Sequence, residues 1–463
     1  MFNEIDKYVG AIGKWWIRND CESVFTAQII IREGNYILLG QHVSKIVMKK
    51  IQNYFEKSRP NINEPSDIYI YGKVGSQKVS LVGCLMGKNA SSFCSILGDM
   101  EYCVEIIPCE LLIGDFYVDN QTVISKASVL YKKMDEFINM RAYKSDVGPS
   151  LLKRTDVEPV SVNNVNFTMN ITPALMRHSS HNKEIFENMI FTNIRFNSAL
   201  SIDRMRSVII KLKLLFSLLK LNLIDIDGVD LHVEPSCSSE SECRLNLSYH
   251  MNYMERDIDE LWHVPVFALK YVDISDFFER VVSSWFDLFE KAEPVIELFY
   301  QCLIRKSHDI NRFLNISQAL EVYSNKYRSN DVKEVYCKFP NDNPNDSSPK
   351  LFHKIYDIFS MFKDCFGYDE NQRITISHWI TDTRNYYTHY GTKAKRKALA
   401  NFNERSPVTD LMFYLLTFAV YCKLGIPIDV IKCKFYHPLF KGTLDRVSAI
   451  YNATLSDSNE ESV

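Results

Sequence analysis

The sequence predicts an α+β protein of two domains: a β-rich N-terminal domain of sandwich or jelly-roll-like build, followed by an all-α helical bundle. Three observations predict it. The chain has 463 residues, and a single hydrophobic core stops growing at about 250–300 residues, so two domains are the expectation. Through the first part of the chain the apolar residues fall in short runs separated by Gly, Asn and Ser, the texture of strands and turns. After Asp273 they recur at three- and four-residue spacing, the texture of amphipathic helices. The expected division is residues 1–272 for the β-rich domain, 273–454 for the helical domain and 455–463 for a disordered acidic tail.

Phe25–Ile31 and Tyr36–Leu39 read as the arms of a hairpin, with Gly34 and Asn35 supplying the turn. Asp67–Tyr71 and Val79–Met86 bracket a second set of turn residues from Gly72 to Gln77. Further strands are expected at Tyr102–Ile107, Val165–Ile171, Met189–Phe196, Val229–Val233, Arg244–Tyr249 and Val264–Val272. One long helix interrupts them. Ser201 or Asp203 caps it, it runs through Leu221, and Lys211, Lys213 and Lys220 break its apolar face. Beyond Asp273, helices are expected at Asp276–Leu303, Ile310–Tyr327, Lys350–Phe366, Thr375–Tyr390 and Pro407–Lys423. Residues 339–349, rich in Pro, Asn, Asp and Ser, read as a loop.

Composition excludes several classes. With 46% apolar and 24% charged residues the chain is that of an ordinary globular protein, not a disordered or collagen-like one. A net charge of −3 argues against a uniformly basic nucleic-acid coat but permits a local basic patch. No apolar run reaches the length of a membrane span, and the start carries acidic residues where a signal peptide needs positive charge. A cytoplasmic protein without membrane contact is expected, its 12 cysteines reduced and mostly buried. No Cys-x-x-Cys, His-Glu-x-x-His or calcium-loop pattern occurs, and Gly72-Lys-Val-Gly-Ser lacks the ending of a phosphate loop. Trp15-Trp16 reads as core or interface, and His178 and His181 as surface residues.

The informative stretch runs from Ile376 to Gly391. On a helix, Ile376, Ile380, Thr383, Tyr387 and Tyr390 form one apolar arc, while Thr381, Asp382, Arg384, Asn385, Thr388 and His389 fill the other side. Arg384 and His389 then lie about 140° apart, with Asn385 between them. They fan out too widely to converge on one phosphate alone; two copies of the helix facing each other across a two-fold axis would bring both sets into one cleft. In such a cleft a His takes the proton from a 2′-hydroxyl or gives one to a leaving 5′-oxygen. An Arg stabilises the charge on the phosphoryl oxygens, and no metal is required. An Arg followed, after four to six intervening residues, by a His also occurs at Arg244/His250, Arg256/His263 and Arg373/His378. The first lies on an expected strand, the second leads into another, and Arg373/His378, with the same spacing as Arg384/His389, is the closer rival. Lys393, Lys395, Arg396 and Lys397 follow immediately and read either as an RNA-steering patch or as a solvated surface.

Arg384-Asn385-Tyr386-Tyr387-Thr388-His389, in a C-terminal helical bundle, resembles the signature of the HEPN superfamily: an Arg, a polar residue, then a His after four to six positions. The β-rich region ahead of this motif resembles the layout of ApeA-like anti-phage HEPN proteins. The resemblance implies a metal-independent endoribonuclease of bacterial abortive infection that uses no cofactor. It implies a composite site at a homodimer or larger homo-oligomer, with Arg384, Asn385 and His389 as catalytic residues. RNA, with tRNA as one candidate, is the implied substrate, and a phage-derived trigger acts through the N-terminal domain. Gly391 stands where one toxin branch of HEPN proteins carries a Tyr. The alternative from another class is a non-catalytic oligomeric module in which Arg384 and His389 hold the dimer or bind a nucleotide.

Overall fold

The computed structural model describes residues 5–57, 68–87, 92–94, 100–138, 143–144, 153–154, 160–180, 183–233, 245–251, 268–304, 310–341, 348–389, 398–399, 401–434 and 438–460. Contacts divide the chain into two units: Met1–Asp135, Met140–Lys213 and Ile224–Ile258 in one; Glu136–Asn139, Leu214–Leu223 and Asp259–Val463 in the other. The first unit holds an antiparallel β-sheet and the second is helical, so the α+β class stands.

The strands are β1 (Ile12–Ile17), β2 (Asp20–Arg32), β3 (Asn35–Ser44), β4 (Tyr69–Val74), β5 (Gln77–Val82), β6 (Leu85–Met86), β7 (Ser92–Cys94), β8 (Met100–Ile107), β9 (Glu110–Gly114), β10 (Val123–Tyr131), β11 (Tyr143–Lys144), β12 (Lys153–Arg154), β13 (Val160–Asn163), β14 (Phe167–Ser180), β15 (Lys183–Ser201), β16 (Ile226–Val233) and β17 (Leu245–Met251). A sandwich or jelly roll divides its strands between two sheets. Here 15 strands are joined edge to edge into one hydrogen-bonded sheet, in the order β13-β14-β15-β10-β16-β17-β9-β5-β4-β1-β2-β3-β8-β6, with β7 beside β8.

The first hairpin forms as expected, but its turn sits one residue earlier, at Glu33 and Gly34, because Arg32 pairs with Asn35. Both turn residues have positive φ (51° and 72°), the twist that a two-residue hairpin needs. Trp15 is fully buried in the core beneath β1, and its indole N–H donates to the carbonyl of Ala27 at 3.0 Å. Trp16, on the opposite face, is half-buried.

The helices are α1 (Lys45–Lys57), α2 (Met134–Ile138), α3 (Ile202–Lys220), α4 (Tyr271–Ile274), α5 (Phe278–Ile304), α6 (Ile310–Tyr327), α7 (Ser329–Lys338), α8 (Leu351–Met361), α9 (Lys363–Phe366), α10 (Glu370–His389), α11 (Phe402–Lys423), α12 (Ile428–Lys434) and α13 (Pro438–Glu460). The lysines expected to break the apolar face of α3 are in part absorbed by it. Lys220 is buried and ion-paired to Glu136 at 2.9 Å. The strand expected at Val264–Val272 ends instead in α4, where the Asp273 carboxylate accepts the Lys270 N–H at 2.9 Å and closes a helical turn; residues 264–267 lie outside the described residues. In α5 the backbone leaves helical geometry at Ala292 (φ −146°, ψ 41°), two residues before Pro294, which has no N–H for the helix ladder.

The helix expected over Lys350–Phe366 breaks at Phe362, whose buried ring meets Phe418 edge-on at 5.7 Å. The tail expected to be disordered continues α13 through Glu460, since extending a formed helix costs far less than nucleating one. Nine cysteines among the described residues are free; against the expectation that most are buried, only Cys84 and Cys302 of these are, while Cys21, Cys109, Cys337 and Cys433 are exposed. At the centre of the helical unit, α11 is buried along most of its length. Its Asp410 is ion-paired to Arg312 of α6 at 2.8 Å, and its Ala419 carbonyl accepts the Tyr323 hydroxyl at 3.0 Å. Burial pushes the Tyr323 hydroxyl well above its ordinary titration range.

Candidate active site

Helix α10 starts five residues before the expected Thr375. Gly367, at φ 70°, ends α9. Asp369 and Gln372 then exchange side-chain-to-backbone hydrogen bonds at 2.8 and 3.0 Å, a reciprocal capping box that fixes the first turn. The β-branched run Ile374-Thr375-Ile376 is therefore helical. Ile376, Ser377, Trp379, Ile380 and Thr383 are buried, and Arg384, Asn385, Thr388 and His389 lie on the more open side, the two faces that the residue spacing implies.

Thr383 anchors the segment that follows the motif. Its hydroxyl oxygen accepts the N–H of Leu399 at 2.9 Å. Arg405, on α11, donates to the Tyr387 hydroxyl at 2.9 Å and lies 5.4 Å above its ring. The end of α10 is thus held from its apolar side while its polar side stays open.

Among the described residues Arg384 has two weak partners. One guanidinium nitrogen approaches Asn385 Oδ1 at 3.4 Å and another approaches Glu321 Oε2 at 3.5 Å. Both are long for charge-assisted hydrogen bonds, which run at about 2.7–2.9 Å, so the guanidinium keeps donor capacity for an anionic ligand. Glu321, on α6, is more tightly held by Lys354 of α8, at 2.8 Å from its other oxygen. One carboxylate therefore stands between two cations, and the cluster stays net positive. Sequence reasoning missed Glu321 and Lys354, which lie 63 and 30 residues before Arg384. No local pattern marks them, because only the packing of α6 and α8 beside α10 brings them there.

His389 is exposed at the last residue of α10. With a helical rise of 1.5 Å per residue, Arg384 and His389 sit about 7.5 Å apart along the axis and about 140° around it. One copy of the helix presents the two groups to the same open side without closing them on one atom.

The rival Arg373/His378 pair is engaged elsewhere. Arg373 donates to the Tyr368 carbonyl at 2.6 Å, and the His378 ring stacks on Phe352 at 4.2 Å. Lys393, Lys395, Arg396 and Lys397 lie outside the described residues, as do Arg244, Arg256 and His263. No helix among the described residues is long and apolar enough to cross a membrane.

Two family models match the chain. Residues 10–285 match the ApeA N-terminal domain 1, and residues 314–429 match the Apea-like HEPN domain, a span that contains Glu321, Lys354, Arg384, Asn385 and His389. Searches of the curated proteins and of the solved structures returned no match. The first of these models alone spans more than half of the chain, the second falls on the helical unit that carries the Arg-Asn-(x)3-His face, and the chain therefore belongs to the ApeA family.

Proposed function

We propose that the helical domain is a metal-independent endoribonuclease of bacterial anti-phage defence, cutting RNA in a site shared by two copies of the chain. HEPN domains are typically ribonucleases and commonly dimerise, and membership of the ApeA-like HEPN family points to an anti-phage defence nuclease. The observation that carries the finer reading is Arg384, Asn385 and His389 on the open face of one helix, with the Arg384 donors largely unspent.

In this reading His389 of one protomer removes the proton from a 2′-hydroxyl, whose oxygen attacks the adjacent phosphorus. Its equivalent across the two-fold axis protonates the leaving 5′-oxygen. The products are a 2′,3′-cyclic phosphate and a 5′-hydroxyl. Arg384 stabilises the charge that builds on the phosphoryl oxygens, and Asn385 holds the guanidinium or a phosphate oxygen in place. The protein acts in the cytoplasm, and its N-terminal domain holds the nuclease inactive until infection.

Arg384→Ala and His389→Ala should each abolish RNA cleavage while light scattering shows an unchanged oligomer. Cleavage by the parent protein should survive saturating EDTA. Strict dependence on a divalent ion, or a monomer at working concentration, would overturn the reading. Loss of assembly in a protein that never cut RNA would favour the non-catalytic module.

A further inference from the structure

Alternation along β1 sends Trp15 and Ile17 into the core and leaves Lys14 and Trp16 on the other face. The sheet register aligns this face with its neighbours. Lys14 of β1 stands opposite Lys73 of β4, and Lys73 stands opposite Lys78 of β5. Three lysines thus form one row across three adjacent strands, spanning about 10 Å at the usual strand separation. Like charges directly opposite each other in a sheet are destabilising.

Nothing among the described residues offsets that repulsion directly. None of the three lysines takes part in an ion pair there, and β1, β4 and β5 contain no Asp or Glu at all. Of the carboxylates on neighbouring segments, Asp119 already accepts the Gln121 N–H and the Thr122 hydroxyl at 3.0 and 3.1 Å, and Glu22 lies on the exposed face of β2, four residues from the Thr26 that pairs with Lys14. Lysines often guard the edges of a sheet against pairing with other chains, but β5, β4 and β1 lie in its interior, between β9 and β2.

Beside the lysine row lies an aromatic one. Trp16 stands opposite Tyr71, and both pack on Tyr117, with ring centroids 5.4 and 5.0 Å away. Trp16, Tyr71 and Tyr117 are all half-buried, with part of each side chain open to solvent. Lys78 lies 5.5 Å over the Tyr117 ring, and Arg18 lies 4.8 Å over that of Tyr69.

We propose that this face of the N-terminal sheet binds single-stranded nucleic acid, its phosphates along Lys14, Lys73 and Lys78 and its bases against Trp16, Tyr71 and Tyr117. A row of unpaired cations beside half-open aromatic rings matches a polyanion whose repeating units each carry a flat π-face. An acidic peptide would use the lysines and leave the aromatic row without a role. The inference stands independently of the ribonuclease proposal, because binding is read without cleavage.

The test uses the full-length His389→Ala protein and fluorescence anisotropy of a labelled 12-nucleotide oligo(A) RNA over a range of salt. Lys14→Gln/Lys73→Gln/Lys78→Gln should lower the slope of log affinity against log salt by about 2, at about 0.7 per lost contact. The loss of affinity relative to the parent should be about 100-fold larger at 0.1 M salt than at 1 M, from the same slope. Trp16→Ala should weaken oligo(A) binding about fivefold or more with the slope unchanged. An unchanged slope in a triple variant with the parent's circular dichroism overturns the proposal. So does binding of polyglutamate or of phosphatidylserine vesicles as tight as that of RNA, with no effect of Trp16→Ala. If the protein proves unable to cut RNA, these binding results still stand, so the two failures are separable.

Discussion

Replacing Gly72 with Ala tests whether the register of β1 against β4 is fixed by a single close approach. Gly72 pairs with Trp15, and a Cβ added there falls 2.2 Å from Cε3 and 2.5 Å from both Cδ2 and Cζ3 of the indole. Ordinary carbon contacts lie at about 3.5–4.0 Å, so the overlap exceeds an ångström and falls on the body of a rigid ring. The ring cannot swing aside, because Trp15 is fully buried and its N–H is bonded to Ala27. Gly13 crowds it from another side: a Cβ there would stand 2.9 Å from the indole nitrogen. Overpacking of this kind costs about 1–3 kcal/mol, and losing the buried hydrogen bond adds about 1 kcal/mol. The backbone entropy gained on replacing glycine returns about 0.5–1 kcal/mol, leaving a net loss of about 1–3.5 kcal/mol. Urea unfolding followed by circular dichroism measures the loss, and hydrogen exchange over 12–17 and 69–74 assigns it to this strand pair. The same variant should weaken RNA binding, since the Trp15–Gly72 register is what sets Lys14 opposite Lys73. In Gly72→Ala/Trp15→Leu the ring is gone, so the pair should be less destabilised than the sum of its parts by about 2 kcal/mol. A Gly72→Ala protein within about 0.5 kcal/mol of the parent, or strict additivity in the double variant, would refute the reasoning.

Glu321→Gln leaves Lys354 and Arg384 facing each other without the carboxylate between them; kcat for RNA cleavage should fall about tenfold, a loss of about 1.4 kcal/mol, with KM little changed. Stability should change by less than about 1 kcal/mol because the pairs are partly solvated, and an unchanged kcat in a folded variant would remove Glu321 from the site. Hydrogen bonds from Lys338 and then Tyr356 hold the Glu370 carboxyl below the ordinary glutamate range. A lowered carboxyl stabilises the fold above its ordinary value, and that stabilisation is lost as pH falls through the lowered one, so Glu370→Gln should flatten the acid limb of Tm against pH. An acid limb identical to the parent's would contradict that linkage. Replacing Lys393, Lys395, Arg396 and Lys397 together with Gln should reduce the salt slope of RNA binding by roughly 0.7 per contact and leave cleavage of bound RNA unchanged. An unchanged slope would make the run a solvated surface.

Much of the helical domain was legible from sequence because helical information is local. Ile310–Tyr327 falls where its periodicity puts it, and the polar face of α10 is the one that the spacing of Arg384, Asn385 and His389 implies. Even the start of α10 was written locally, in the Asp369/Gln372 capping box, a signal that the apolar period overlooked. Tyr271 and Val272 misled because strand propensity is weak beside one side-chain-to-backbone bond from Asp273.

The sequence by itself determined a β-rich chain followed by helices and the chemistry on one face of α10, while Trp15 and Trp16, read together as core or interface, were separated only by β1, which buries the first and half-exposes the second. Only the tertiary structure decided which strands lie side by side, with β10 between β15 and β16 and β9 between β17 and β5. It also decided that Glu321 and Lys354 reach Arg384, and that Lys14, Lys73 and Lys78 share a row. Periodicity fixes which way a side chain faces along its own element. Which residue it meets depends on pairings between segments tens of residues apart, whose energy comes from burying groups such as Trp15 against Gly72 and leaves no mark in either segment alone.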